Sequence, residues 1–79
     1  MSNTRAAYQG YVIEARPYQI ADDQRWSTDL NIERHYGEGV AVRPYSGKLS
    51  FETKDEAIQY CLGLGAQIVD GAYPGCAAP

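Results

Sequence analysis

The hydrophobic period of this chain changes once, and the change coincides with a helix-start signal. Before Thr53 apolar and polar residues alternate, as they do on half-buried strands; after it the apolar residues recur at three- and four-residue spacing. Strands followed by one terminal helix read as an α+β fold. The pattern predicts a three- to four-stranded antiparallel β-meander with one C-terminal α-helix packed on one face.

From Tyr11 onward, Tyr11, Ile13 and Ala15 share one face and Val12, Glu14 and Arg16 the other. Pro17 has no N–H for a ladder, so it ends this strand or marks an edge. The chain then passes Tyr18 and Ile20 into a turn at Asp22, Asp23 and Gln24. In the second strand Trp26, Thr28, Leu30 and Ile32 face the core, while Arg25, Ser27, Asp29, Asn31 and Glu33 face water. Gly37 and Gly39 supply the positive backbone angles of a hairpin, after which Val40 and Val42 point inward and Ala41 and Arg43 outward. Pro44 and Ser46-Gly47 interrupt that run, and Leu49-Ser50-Phe51 is long enough for a short extra strand.

Thr53-Lys54-Asp55-Glu56 is a capping box, in which the Thr53 hydroxyl accepts from the amide three residues on and Glu56 reaches back to the cap's own amide. Beyond it Ile58, Cys61, Leu62, Gly65, Ile68 and Val69 form a stripe for the core, with Glu56, Gln59, Gly63, Gln67 and Asp70 opposite. Gly65 lets the helix settle against Trp26 or another large sheet residue; Trp26 is the largest side chain assigned to the core, its truncation is expected to be among the most damaging, and Gly63 faces outward. Gly71 stops the helix in a left-handed cap. The chain reads as one domain over residues 1–79, with an ordered core from about 8 to 71 and a flexible tail over 72–79.

A chain of 79 residues buries only about 60% of the surface it exposes when unfolded. A deep enclosed pocket would remove core that it needs, and the chain reads as a non-enzyme. Its seven Lys and Arg are dispersed among ten Asp and Glu, for a formal charge of -3, which disfavours nucleic acid as a partner because phosphate binding needs clustered cations. No segment is apolar for the ~20 residues a membrane span needs, and Met1 to Gly10, with neither a basic leader nor a continuous apolar stretch, does not read as a leader sequence. The expected location is cytoplasmic, with Cys61 and Cys76 as reduced thiols.

His35 is the lone histidine, with no CxxC or HxxxH beside it, so neither a metal nor a cofactor is expected and no catalytic residue is assigned. Cys61 lies on the apolar stripe and reads as a core residue rather than a nucleophile; Cys76 reads as exposed. Arg16, Arg25, Arg34 and Arg43 recur at nine-residue intervals. With Glu14, Asp29 and Glu33 on the same sheet face, they read as a solvated salt-bridge ladder rather than a phosphate clamp. Seven tyrosines suit half-buried strands, with Tyr45 and Tyr60 on or beside the outer faces.

The order Tyr8-Gln9-Gly10-Tyr11-Val12-Ile13, Trp26 opening an alternating strand, Phe51-Glu52-Thr53-Lys54-Asp55-Glu56-Ala57 and Ile68-Val69-Asp70-Gly71 resembles small bacterial domains of unknown function with a β-β-β-α layout. The resemblance covers nearly the whole chain and implies the fold, not an activity. The step from a strand through Thr53, Glu56 and Ala57 into a helix also resembles the partial double-stranded-RNA-binding fold of HicB-type antitoxins. Those domains carry a Pro-Gly-Cys-type segment before the helix, where this chain has Ser46-Gly47-Lys48; its Pro74-Gly75-Cys76 follows the helix.

These readings converge on a non-catalytic protein-interaction or self-association module. One sheet face stays uncovered, formed by Glu14, Arg16, Asp29, Asn31, Glu33, Arg43 and Tyr45, and the partner is an unknown protein or a second copy of the chain. The alternative is an RNA- or DNA-binding accessory domain using Tyr45, Arg16 and Arg43.

Overall fold

The computed structural model describes residues 3–73, 75 and 77–79. It is an α+β fold of four antiparallel strands in one open sheet and a C-terminal helix: β1 (Arg5–Tyr8), β2 (Tyr11–Ala15), β3 (Asp29–Tyr36), β4 (Gly39–Ser46) and α1 (Lys54–Val69). The sheet order is β1-β2-β3-β4, so every strand pairs with its neighbour in sequence.

The fourth strand comes from the start of the chain rather than from Leu49 to Phe51. Gln9 and Gly10, at φ 52° and 83°, make a two-residue turn that sets Tyr8 opposite Tyr11 and Arg5 opposite Glu14. Regular structure therefore begins at Arg5, before the expected start near residue 8. β2 becomes a central strand and ends at Ala15, clear of Pro17. Phe51 forms only an isolated bridge with Trp26, which also bridges Gln19.

The helix start follows the capping box closely. The Thr53 hydroxyl accepts from the Glu56 N–H at 3.2 Å, and it donates to Glu56 Oε1 at 3.0 Å, so Glu56 reaches the cap's hydroxyl rather than its amide. At the other end Gly71, at φ 76°, donates to the Ile68 carbonyl, and Ala72 N–H bonds the Gln67 carbonyl. That pair of bonds is the Schellman stop expected of a glycine there.

The core is one cluster between α1 and the inner face of β2 and β3: Ile13, Ala15, Leu30 and Ile32 against Ile58, Cys61, Leu64 and Ile68. Leu64 replaces Leu62 at the centre of the helix stripe; Leu62 and Val69 pack at its margin. Gly65 makes the closest approach, and the large sheet residue it meets is Ile13. A Cβ on Gly65 would stand 3.1 Å from Ile13 Cδ1 and closer still to Cγ2, whereas one on Gly63 would meet open space.

Trp26 lies outside this cluster. It is half-buried, and Lys54 Nζ stands 5.6 Å above its ring centroid. Its backbone pairs with Phe51 in both directions, while Phe51 packs on Tyr60 at 5.4 Å between centroids. These residues tie the long loop down beside the helix start. The chain also folds back after the helix. Ala78 and Tyr73 pack against the core, the Tyr45 hydroxyl and Arg43 both donate to the Ala77 carbonyl, and Tyr11 and Arg34 reach the Pro79 carbonyl at 3.5 Å. Cys76 lies outside the described residues.

Two glycine substitutions separate the roles of the helix faces. Gly63→Ala should raise stability by about 1 kcal/mol, since it adds helix propensity in open space. Gly65→Ala should lower it by about 1 to 3 kcal/mol through the clash with Ile13. Urea unfolding monitored by circular dichroism measures both, and in the same series Ile32→Ala should cost more than Trp26→Ala.

Candidate functional site

Strand pairing decides which side chains share the uncovered face. The two-residue turn at Gly37 and Glu38 sets Tyr36 opposite Gly39, which places Ile32 opposite Arg43 and Leu30 opposite Tyr45. Residues opposite each other share a face. Arg43 and Tyr45 therefore stand on the helix side with the core residues, and Val40 and Val42 stand on the outer side with His35 and Glu33. This reverses the expected orientation of β4. Gly37 has positive φ, 54°, but Gly39 does not, because the turn closes before it.

Of the anticipated interaction face, Glu14, Asn31 and Glu33 form the outer surface together, with Asp29 and Arg16 continuing it toward one end. Arg43 and Tyr45 lie on the opposite side, under the returning C-terminal segment. The outer face has two parts. Near the β3–β4 turn Val40 and Val42 are 51% and 50% exposed, with Val12 across Glu33 from Val42. At the other end an open groove of about 680 Å³ wraps round the end of the sheet, bordered by Glu14, Arg16 and Asn31 of the outer face and by Leu30, Tyr45 and Lys54 of the helix side.

Between the two parts runs an ion-pair network centred on Arg5, a residue of the unanticipated first strand. Its guanidinium donates to Glu14 Oε2 at 3.1 Å and to Glu33 Oε2 at 3.2 Å. The side chains of Glu14 and Glu33 are only 23% and 17% exposed. Arg16 adds a contact to Glu14 at 3.5 Å, and His35 Nε2 stands 3.4 Å from Glu33. The two carboxylates raise the Arg5 pKa above its ordinary value, chiefly through the Glu14 hydrogen bond. A salt-bridge ladder is present, but of the arginines spaced nine apart only Arg16 joins it. Arg25 bonds Ser50 instead, Arg34 lies 5.8 Å over the Tyr11 ring, and Arg43 bonds the Ala77 carbonyl.

The central carboxylates of this face are engaged by the Arg5 guanidinium. Among the described residues no three of His, Cys, Asp and Glu come together as a metal site, and no helix is long and apolar enough to cross a membrane. The buried thiol is also accounted for. Cys61 is fully enclosed, its Sγ–H donates to the Asp29 carbonyl at 3.4 Å, and burial pushes its pKa up to about 11.

Comparison with protein-family models, with curated proteins and with solved structures gives no match to the chain.

Two measurements follow from the enclosed thiol. Cys61 should react with a thiol reagent only as fast as α1 lifts from the sheet. Its neutral form is favoured by folding, so its contribution is complete below the ordinary thiol value of 9.0 and is lost as pH rises through about 11. The stability advantage of the parent over Cys61→Ala should accordingly shrink between pH 9 and 11 in urea titrations.

Proposed function

We propose that this domain is a non-catalytic self-association module that acts through β4, the edge strand whose valines lie on the sheet face opposite its helix. One observation carries the reading: two valines of β4, Val40 and Val42, are half-exposed side by side on a face that no other element covers among the described residues. Valine on a strand normally packs against something, and exposed apolar residues that are contiguous mark contact surfaces more often than scattered ones do. The Arg5 network gives the same face fixed charges of both signs.

The alternative, nucleic-acid binding, has less to support it. Arg5, Arg16, Arg25, Arg34 and Arg43 each already contact a carboxylate or an oxygen of the domain itself, and the chain is acidic overall. A phosphate backbone would have to displace those partners.

Sedimentation equilibrium from about 1 μM to about 1 mM, the range of weak transient contacts, tests the reading. The expected result is an apparent mass that rises toward the dimer, with Val42→Glu shifting the midpoint at least tenfold higher while circular dichroism stays unchanged. A mass that stays monomeric throughout would sink the proposal.

A further inference from the structure

The backbone of β4 indicates how two copies meet. In an antiparallel pair the residues that bond across alternate with those that turn their N–H and C=O the other way. A two-residue turn closes on a bonded pair, here Tyr36 and Gly39, and at the far end Gly47 N–H bonds the Thr28 carbonyl at 3.0 Å. Both ends give the same phase. Ala41, Arg43 and Tyr45 bond to β3, and Val40, Val42 and Pro44 turn their backbone groups to the open edge of the sheet. Among the described residues no backbone group pairs with that edge.

The two edges of the sheet differ in how they are guarded. β1 is four residues long and carries Arg5, both of which discourage strand addition. β4 is twice that length and carries Arg43 and Pro44 as its guards. Proline lacks the N–H and sets its ring where a partner strand would approach, so it blocks any pairing that brings a strand residue opposite it. An antiparallel pairing of two β4 strands centred on Val42 or Arg43 would set Pro44 against the partner's Val40 or Val42. Centred on Ala41, it sets Val40 against the partner's Val42 and moves Pro44 out to the Glu38 turn.

We infer that two copies of this chain join β4 to β4 about a two-fold axis at Ala41, making one continuous sheet. The inference rests on the self-association reading above and specifies its geometry. In this register Val40 and Val42 of each copy exchange both of their free backbone bonds with the partner's Val42 and Val40. Their side chains meet as a single valine patch on the outer face. On the helix side Arg43 falls opposite the partner's Gly39, beside the partner's Tyr36 ring, which lies against that glycine and can receive the guanidinium on its face. The Arg5 network stays at the solvent surface, so no ion pair has to be buried, as a face-to-face sandwich of the two sheets would require.

The test combines amide exchange with cross-linking on the full chain. As concentration rises through the association range, exchange at Val40 and Val42 should slow at least tenfold, while Ala41 and Arg43, already bonded to β3, should change little. Val42→Pro removes an N–H that the monomer does not use, so it should keep the fold and abolish association. Ala41→Cys in a Cys76→Ser background should cross-link rapidly on oxidation, because non-bonded antiparallel partners stand about 4.5 Å apart at Cα, within disulfide range. If Val42→Pro fails to fold, the cross-link decides alone. A dimer that cross-links through Val12→Cys in preference to Ala41→Cys, with Val40 and Val42 exchange unchanged, would overturn the edge geometry and leave self-association standing. A monomer at every concentration would overturn both.

Discussion

The approach of α1 to β2 at Gly65 and Ile13 governs the layout of this domain. A glycine at that point lets the helix axis sink until its backbone meets the Ile13 side chain, and the apolar stripe from Ile58 to Ile68 then closes over Ile13, Leu30 and Ile32. Close-packed interiors tolerate little slack, so the helix is centred over β2 rather than over the middle of the sheet. It touches β1, β2 and β3 but not β4. The helix-side shelf occupied by the C-terminal segment follows from that offset.

The parts of the fold that were legible in the sequence are those with local physical causes. The capping box fixed the helix start at Thr53, the glycine at 71 fixed its end, and alternation identified the core-facing residues of β2 and β3. What was missed depended on counting across turns. The Gln9-Gly10 pair between Tyr8 and Tyr11 is a hairpin signal, but only four residues precede it in the strand, too few to show a period. For β4 the alternation was visible and its phase was not. Valines look like core residues, and only the two-residue turn at Gly37 and Glu38, which forces Ile32 opposite Arg43, shows that they face outward.

The same reasoning explains how the candidate face split. Glu14, Asn31 and Glu33 lie together because their strands were read in the correct phase; Arg43 and Tyr45 were carried to the wrong side by one strand. Trp26 was misplaced for a different reason. Size and hydrophobicity favoured it for the core, yet the strand it opens begins only at Asp29, and a residue ahead of the sheet follows the loop that carries it. An indole with Lys54 above it can remain half-buried at modest cost.

The bond between Tyr8 and Asp70 has a consequence for the order in which the domain assembles. Each hairpin closes over a short stretch of chain, so the sheet can zip from its turns, whereas the Tyr8 hydroxyl meets Asp70 Oδ2 at 2.7 Å across a separation of 62 residues. Loop-closure entropy makes contacts of that span late ones. β1 is the shortest strand at a sheet edge, and that clasp joins its final residue to the end of the helix. It forms a latch that closes after the rest of the sheet has formed.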